Sequence, residues 1–372
     1  MQIISDKTAT KLRGVNLGGW LVLEKWMRPS LFDGLQATDE TSWCVELGTA
    51  AGEKLRRHWT SFITRDDFAW LAGIGINAVR IPLGHWLFGP DYPYHRSYGA
   101  NPYPFVEGGI DVLDSAFAWA EEFDLRVVLD LHAAPGCQNG FDNGGIMNVC
   151  EWHTQPVYLE HSLSVLARLA ERYAKHPCLH AIEVLNEPRW DIPTAYLKNY
   201  YAQAYRRIRQ FCAADRVAVI FHDGFRSHRE YIDFFADPTL ANVLFDIHRY
   251  QCFDRSDIDS DIYRHLEKAA IDWSNEAQQI NSELGVPSIA GEWSLGLDLK
   301  VVSLWAPGPY NHALEGMDAF QERAAYRGYA AVQLMTFEKY RGWFFWSYKT
   351  ETTPAWCFRE CVERGWLPAD FR

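Results

Sequence analysis

The chain has no surplus of positive charge. Its 372 residues carry 36 Lys and Arg against 48 Asp and Glu, a formal charge of −12. No concentrated Lys/Arg face is available for a polyanion, which excludes nucleic acid as a partner. Long apolar runs are missing as well. None approaches the ~20 residues a membrane-spanning helix needs, so no membrane association is expected. The first residues, MQIISDKTATKL, show neither an apolar core of leader length nor a small-residue cleavage site. Cysteines are present but not clustered: the eight, at 44, 137, 150, 178, 212, 252, 357 and 361, do not form the dense spacing of a disulfide framework. Cys357 and Cys361 lie four apart, yet no His or Cys pair accompanies them at zinc-site spacing. We therefore expect no metal, no cofactor, and reduced thiols in a cytoplasmic protein. No linker, low-complexity run or internal repeat divides the chain, so residues 1–372 are expected to form one domain.

What is present is material for a large core, with 48% hydrophobic and 23% charged residues. Aromatics reach 15%, including 16 Trp, and many sit beside turn residues. Flat rings near loops suit stacking on sugar faces, although core filling accounts for many of them.

Short apolar runs bounded by Gly, Pro, Asn or Asp recur along the chain at 13–20, 77–83, 126–132, 180–186, 216–223, 242–250, 287–293 and 342–348. Between most of them lie amphipathic helical patterns, at 109–123, 157–175, 194–213, 261–284 and 314–337. In the first of these helices Ile110, Leu113, Phe117 and Ala120 share a face. Continuous apolar strands alternating with such helices imply a parallel sheet covered by helices. Eight units favour an α/β fold closed as a (β/α)8 TIM barrel. Two segments exceed the minimal plan: about 55 residues between the first two strands, and a polar, aromatic loop from Ala133 to His153. Both follow C-terminal strand ends, the barrel face where active sites lie.

Polar residues gather at those ends. Arg80 lies in the second strand, His132 closes the third, and Asn186-Glu187 closes the fourth. His248 and Tyr250 close the sixth, Glu292 the seventh, and Trp346 lies in the eighth. Each alone has an ordinary structural explanation. Together, at matching heights of one barrel, they predict a shared site. Glu187 and Glu292 fall on strands four and seven, so two carboxylates face each other across the barrel mouth. Glycosidic cleavage needs such a pair, one acid to protonate the leaving oxygen and one carboxylate to attack or to activate water. Their environments must differ. Arg80 and Tyr250 are expected to hold Glu292 ionised, which leaves Glu187 as the acid/base, though spacing alone does not decide the assignment.

Seven segments in order, RGVNLGGWLVLEKWMRPSLF, NAVRIPLGHWLFG, DLHAAPGCQNGFDNGG, EVLNEP, DIHRYQCF, AGEWS and FFWSYKTE, carry a resemblance. From about Arg13 to Trp366 the chain resembles glycoside hydrolase family 5, and within it the fungal exo-β-1,3-glucanases. The resemblance implies Glu187 as acid/base and Glu292 as nucleophile, with Arg80 and His132 bracing the nucleophile and the floor. It places Asn186 on the sugar 2-hydroxyl, His248 against the acid/base, Tyr250 against the nucleophile, and Trp346 under the sugar that is cleaved off. It implies a cis Trp346–Ser347 peptide. Glu24, Asp142 and Asn143 match positions that hold the outer hydroxyls of a terminal glucose. Phe141 and Phe253 match an aromatic pair at the pocket entrance. Between Ser294 and Gly316 the chain is shorter than the fungal enzymes and lacks their cysteines, and Asp272 stands where they carry another. That fits the cytoplasmic expectation.

The expected activity is a retaining exo-acting β-glucosidase or β-1,3-glucanase on a β-glucoside or glucooligosaccharide. An endo-β-glucanase of β-1,6, β-1,4 or mixed specificity is the neighbouring alternative. A non-catalytic sugar-binding barrel is the alternative of another class.

Overall fold

A computed structural model of the chain describes residues 11–297 and 312–372. The N-terminal decapeptide and most of the segment between Ser294 and Gly316 lie outside the described residues. Eight parallel strands close into a barrel in sequence order. They are β1 (Leu12–Asn16), β2 (Ala78–Gly84), β3 (Arg126–Ala133), β4 (Leu179–Glu183), β5 (Ala218–His222), β6 (Val243–Arg249), β7 (Ser288–Trp293) and β8 (Gly342–Phe345). All eight expected strands are present, with helices between them. β2 and β7 are buried along their whole length, as a sheet covered on both faces requires.

Three strands end three or four residues earlier than their apolar runs predict. β1 stops at Asn16, β4 at Glu183 and β8 at Phe345. In each case backbone hydrogen bonds to the neighbouring strand continue past the regular end, from Leu17 N–H to Arg80 O, Val184 N–H to Ile220 O and Trp346 N–H to Trp293 O. Past β8 comes a cis Trp346–Ser347 peptide. The helix expected over 261–284 is two helices, Ile262–Glu267 and Trp273–Glu283, joined by a π-type turn at Lys268–Asp272. The long segment between β1 and β2 holds three helices, Glu40–Leu47, Ala51–Phe62 and Arg65–Gly73. Asp39 and Ser42 cap the first reciprocally, and Thr64 and Asp67 cap the third.

Alternate residues of a strand point into the barrel, and the interior is built in layers. At the bottom Leu12, Ala78, Val128, Ala181, Ala218, Leu244, Ile289 and Phe344 form an apolar plug of their own. Two residues further along their strands the inward positions are Arg80, Asp130, Glu183 and Asp246, all fully buried. The mouth therefore has a polar floor on an apolar base. Most of the tryptophans belong to the core instead: Trp20, Trp43, Trp152, Trp293 and Trp343 are fully buried.

The β6–β7 register slips between Ile247 and His248, so Ile247 opposes Ala290 while His248 opposes Glu292. Gly291 is the extra residue of that bulge. Its N–H donates to Asp246 Oδ1 at 2.6 Å. A Cβ there would lie 1.9 Å from Asp246 Oδ2, so only glycine permits the approach. Gly291→Ala should lower stability by ~1–3 kcal/mol through overpacking. Chemical denaturation should show this as a lower midpoint.

Candidate active site

Arg80 is the deepest charge in the site. Its guanidinium donates from Nε to Glu183 Oε2 at 2.7 Å, from Nη1 to Asn16 Oδ1 at 2.9 Å and Glu292 Oε1 at 3.1 Å, and from Nη2 to Asn186 Oδ1 at 2.8 Å. Asp130 Oδ2 lies 3.1 Å from Nη2. Burial works against its charge, but Asp130, Glu183 and Glu292 outweigh that and keep it protonated. One side chain thereby ties β1, β2, β3, β4 and β7 together below the reacting centre.

Glu187 follows β4 with φ at +43°, in the left-handed region a non-glycine residue adopts at a cost of about 1–2 kcal/mol. Neighbouring backbone holds it there. Asn186 N–H donates to Leu131 O at 3.0 Å and Arg189 N–H to Gln138 O at 3.0 Å. Gln138 Nε2 in turn donates to His132 O at 2.7 Å and Asn186 O at 2.9 Å. The result turns the Glu187 carboxylate into the mouth, where Asn143 Nδ2 donates to Oε2 at 3.3 Å.

His248 joins the two carboxylates. Its Nδ1 lies 2.7 Å from Glu187 Oε1 and 3.4 Å from Glu292 Oε2, so these oxygens are at most about 6 Å apart. Tyr250 donates its hydroxyl to Glu292 Oε2 at 2.7 Å. His132 pairs with Asp130 at 2.6 Å and stacks on Trp346 at 5.3 Å with the planes 6° apart. Trp346 itself packs with Trp26, Met27, Cys252 and Trp356, and with Tyr250 alongside.

The protonation pattern differs from the one the sequence predicts. Burial pushes Glu187 up, but the hydrogen bond and charge of His248 overcome it and leave the carboxyl below its usual range. At Glu292 burial and the charge of Glu187 outweigh His248 and Arg80, leaving it above. Burial lowers His248, yet Glu292, Asp246 and Glu187 raise it well above the ordinary histidine value. In the substrate-free site the proton therefore rests on His248, 2.7 Å from Glu187, and the three groups titrate together. Arg80 and Tyr250 alone predicted Glu292 as the more acidic group; the missing partner was His248, in reach of both.

Toward the outside, Trp26 Nε1 donates to Glu24 Oε2 at 2.8 Å. Glu24 Oε1 and Asp142 Oδ2 are buried without a protein partner. Burial and mutual repulsion raise Glu24 well above its usual range, and burial raises Asp142 to about 7. Phe253 is 51% exposed and meets Tyr250 edge-on at 5.5 Å; Phe141 is half-buried next to Asp142. Asn16, Asp130, Glu183, Asp246, Gln138 and Trp356 were not anticipated. A signal for two of them existed: Asp-Leu-His at 130–132 and Asp-Ile-His at 246–248 repeat an acid two positions before a strand-end histidine. Among the described residues, Glu187, His222 and His248 and, separately, Glu183, Asp246 and His248 bring three possible metal donors within 4.8 Å. His248, common to both, has its Nδ1 committed to Glu187.

Comparison with known proteins agrees with this architecture. Residues 45–351 match the family described as Cellulase (glycosyl hydrolase family 5). The chain belongs to glycosyl hydrolase family 5. It is thus a glycoside hydrolase. A probable glucan 1,3-beta-glucosidase A of Aspergillus fumigatus is 36% identical, covering 96% of this chain and 87% of that protein. A glucan 1,3-beta-glucosidase of Blumeria graminis is 33% identical over 99% and 89%. Among solved structures, a rutinosidase from Aspergillus niger superposes with a TM-score of 0.78 at 20% identity, covering 97% of this chain and 99% of that one. At that identity the likeness concerns the fold. These relatives, fungal enzymes named for glucan, correct the cytoplasmic expectation. The scattered thiols that suggested it report how the core is packed, not where the protein works.

Two predictions follow from the geometry. Arg80→Met should destabilise the chain by ~3–5 kcal/mol, because Glu183 and Asp130 remain buried without their counter-charge; denaturant titration measures it. Asp142 is raised in the folded chain to about 7. Its stabilising contribution is therefore full below its unfolded value of about 4 and lost as pH rises through about 7. Asp142→Asn should flatten the fall in melting temperature between about pH 4 and 7 that the parent chain shows.

Proposed function

We propose that the chain is a retaining, exo-acting β-glucosidase or β-1,3-glucanase, and that residues 1–372 act as its one catalytic domain. The observation that carries this is the pair of carboxylates reaching one His248 nitrogen, with oxygens at most about 6 Å apart. Inverting enzymes separate the pair by ~6.5–9.5 Å to seat a water, whereas retaining ones need ~5–5.5 Å.

Glu292 attacks the anomeric carbon while Glu187 passes a proton to the departing oxygen, and a glycosyl ester on Glu292 forms. His248 stands ready to supply that proton to Glu187. Water then attacks the same carbon, the bond to Glu292 breaks, and Glu187 takes the water's proton. Arg80 and the Tyr250 hydroxyl stabilise Glu292 when it leaves as an anion. Asn186, oriented by Arg80, bonds the 2-hydroxyl. Trp346, braced by His132, supports the sugar from below. No cofactor enters this scheme.

The exo reading is supported by Glu24 and Asp142, buried acceptors with an oxygen each left for sugar hydroxyls. Asn143, next to Asp142 in sequence, donates to Glu187. Groups of this kind close one end of a groove and leave room for one terminal residue. Phe253 and Phe141 offer rings for the leaving sugar at the mouth. The names of the fungal relatives favour β-1,3-linked glucose.

Laminaribiose hydrolysis followed by NMR should release β-glucose first; α-glucose as the initial anomer would rule out retention. Laminarioligosaccharides should yield glucose from the start, and early larger products would instead favour an endo enzyme. Glu187→Ala should lower kcat on laminaribiose by ~10²–10⁴-fold, and Glu292→Gln should abolish measurable turnover.

A further inference from the structure

His222 ends β5, fully buried, and the double displacement described above makes no use of it. The Gly224 N–H donates to its Nδ1 at 2.8 Å. Burial first, and then the positive charges of His248, Arg80, Arg249 and Arg226, keep the ring neutral. A neutral imidazole that accepts at Nδ1 carries its one proton on Nε2. That atom is buried and has no protein partner. An orphaned buried N–H costs ~1–3 kcal/mol, which calls for a reason.

The surroundings supply one. The His222 ring meets the His248 ring edge-on, with centroids 4.3 Å apart, and one possible ligand atom of each of Glu187, His222 and His248 lies within 4.8 Å of the others. Two histidines and a carboxylate suggest a metal, but the tautomer opposes it. A lone pair at Nε2 would force the proton onto Nδ1, directly against the Gly224 N–H. His222 therefore presents a proton to this cluster and not an electron pair.

We propose that His222 is a positioning residue for Glu187: its Nε2–H, unpartnered in the substrate-free site, engages the Glu187 carboxylate in the second half-reaction. This rests on the assignment of Glu187 as acid/base. In that step water attacks the anomeric carbon, the ester bond to Glu292 breaks with its electron pair going to Glu292, and the water's proton goes to Glu187. Glu187 must be ionised beforehand and must point at the water. His248 is an imperfect partner for this, because its Nδ1 also faces Glu292 at 3.4 Å and its proton is the one exchanged in the first step. His222 supplies a fixed dipole that does not titrate near neutrality. The first half-reaction, in which Glu187 gives its proton away, draws less on it.

The test uses 2,4-dinitrophenyl β-glucoside, whose leaving group departs without a proton, so that kcat reports release of the glycosyl-enzyme. His222→Phe should lower kcat about tenfold, the worth of one hydrogen bond to a charged group, while kcat/KM stays within about twofold. Azide needs no base to attack. It should restore the kcat of His222→Phe and yield glucosyl azide. His222→Gln, which retains an N–H near the ε position, should keep most of the wild-type kcat. If His222→Phe does not fold, His222→Asn takes its place, keeping an acceptor for Gly224 but no ε donor. An equal fall in kcat and kcat/KM, an azide-insensitive His222→Phe, or a His222→Gln as slow as His222→Phe would each overturn the proposal. Glu187→Ala run alongside separates the two levels. Azide rescue of Glu187→Ala without rescue of His222→Phe removes only the role of His222, whereas no rescue of Glu187→Ala removes the acid/base assignment beneath it.

Discussion

A guanidinium that cannot be deprotonated, placed where no water reaches it, obliges the barrel to surround it with anions. Arg80 is that group, and Asp130, Glu183 and Glu292 answer it within 3.1 Å. Two amide oxygens, from Asn16 and Asn186, fill its remaining directions. Such a core is not there to maximise stability, since an apolar layer of equal volume would serve as well or better. What it provides is direction. Every donor is fixed by a planar fork, so Glu292 and Asn186 are held by a group that is itself held.

Above that layer the constraint passes to His248 and Gly291. The bulge at Gly291 sets His248 opposite Glu292 and lets Asp246 come close under the backbone. His248 then touches both carboxylates, which makes the three groups one titrating unit. In this arrangement the location of the proton before substrate binds is a property of the cluster. It does not belong to Glu187 or Glu292 separately, and a substrate that displaces either contact redistributes it.

The mouth is shaped by segments that have little to do with the barrel itself. Glu24 and Trp26 come from the long connection after β1, Asp142 and Asn143 from the loop after β3, and Trp356 from the C-terminal end. In barrels of this kind the loops after the strand C-termini vary while the strands are kept.

The strands, their order and the pair of carboxylates were legible in the chain itself, because a buried parallel strand must be an apolar run and a polar residue ending one stands out. The strand tips were not. β4 ends as a regular strand at Glu183, and the left-handed turn at Glu187 depends on Gln138, a residue 49 positions earlier that no local pattern marks. Asp130, Glu183 and Asp246 read as polar interruptions until the barrel closed around Arg80. The abundance of tryptophan suggested sugar stacking, yet most of those rings fill the core, since burial depends on packing partners and not on neighbours in sequence. The sequence alone singled out the two carboxylates proposed to carry the chemistry. Tertiary structure decided their protonation, because acidity is set by distance and burial, and His248 came within reach of two carboxylates only when β4, β6 and β7 were brought to one mouth.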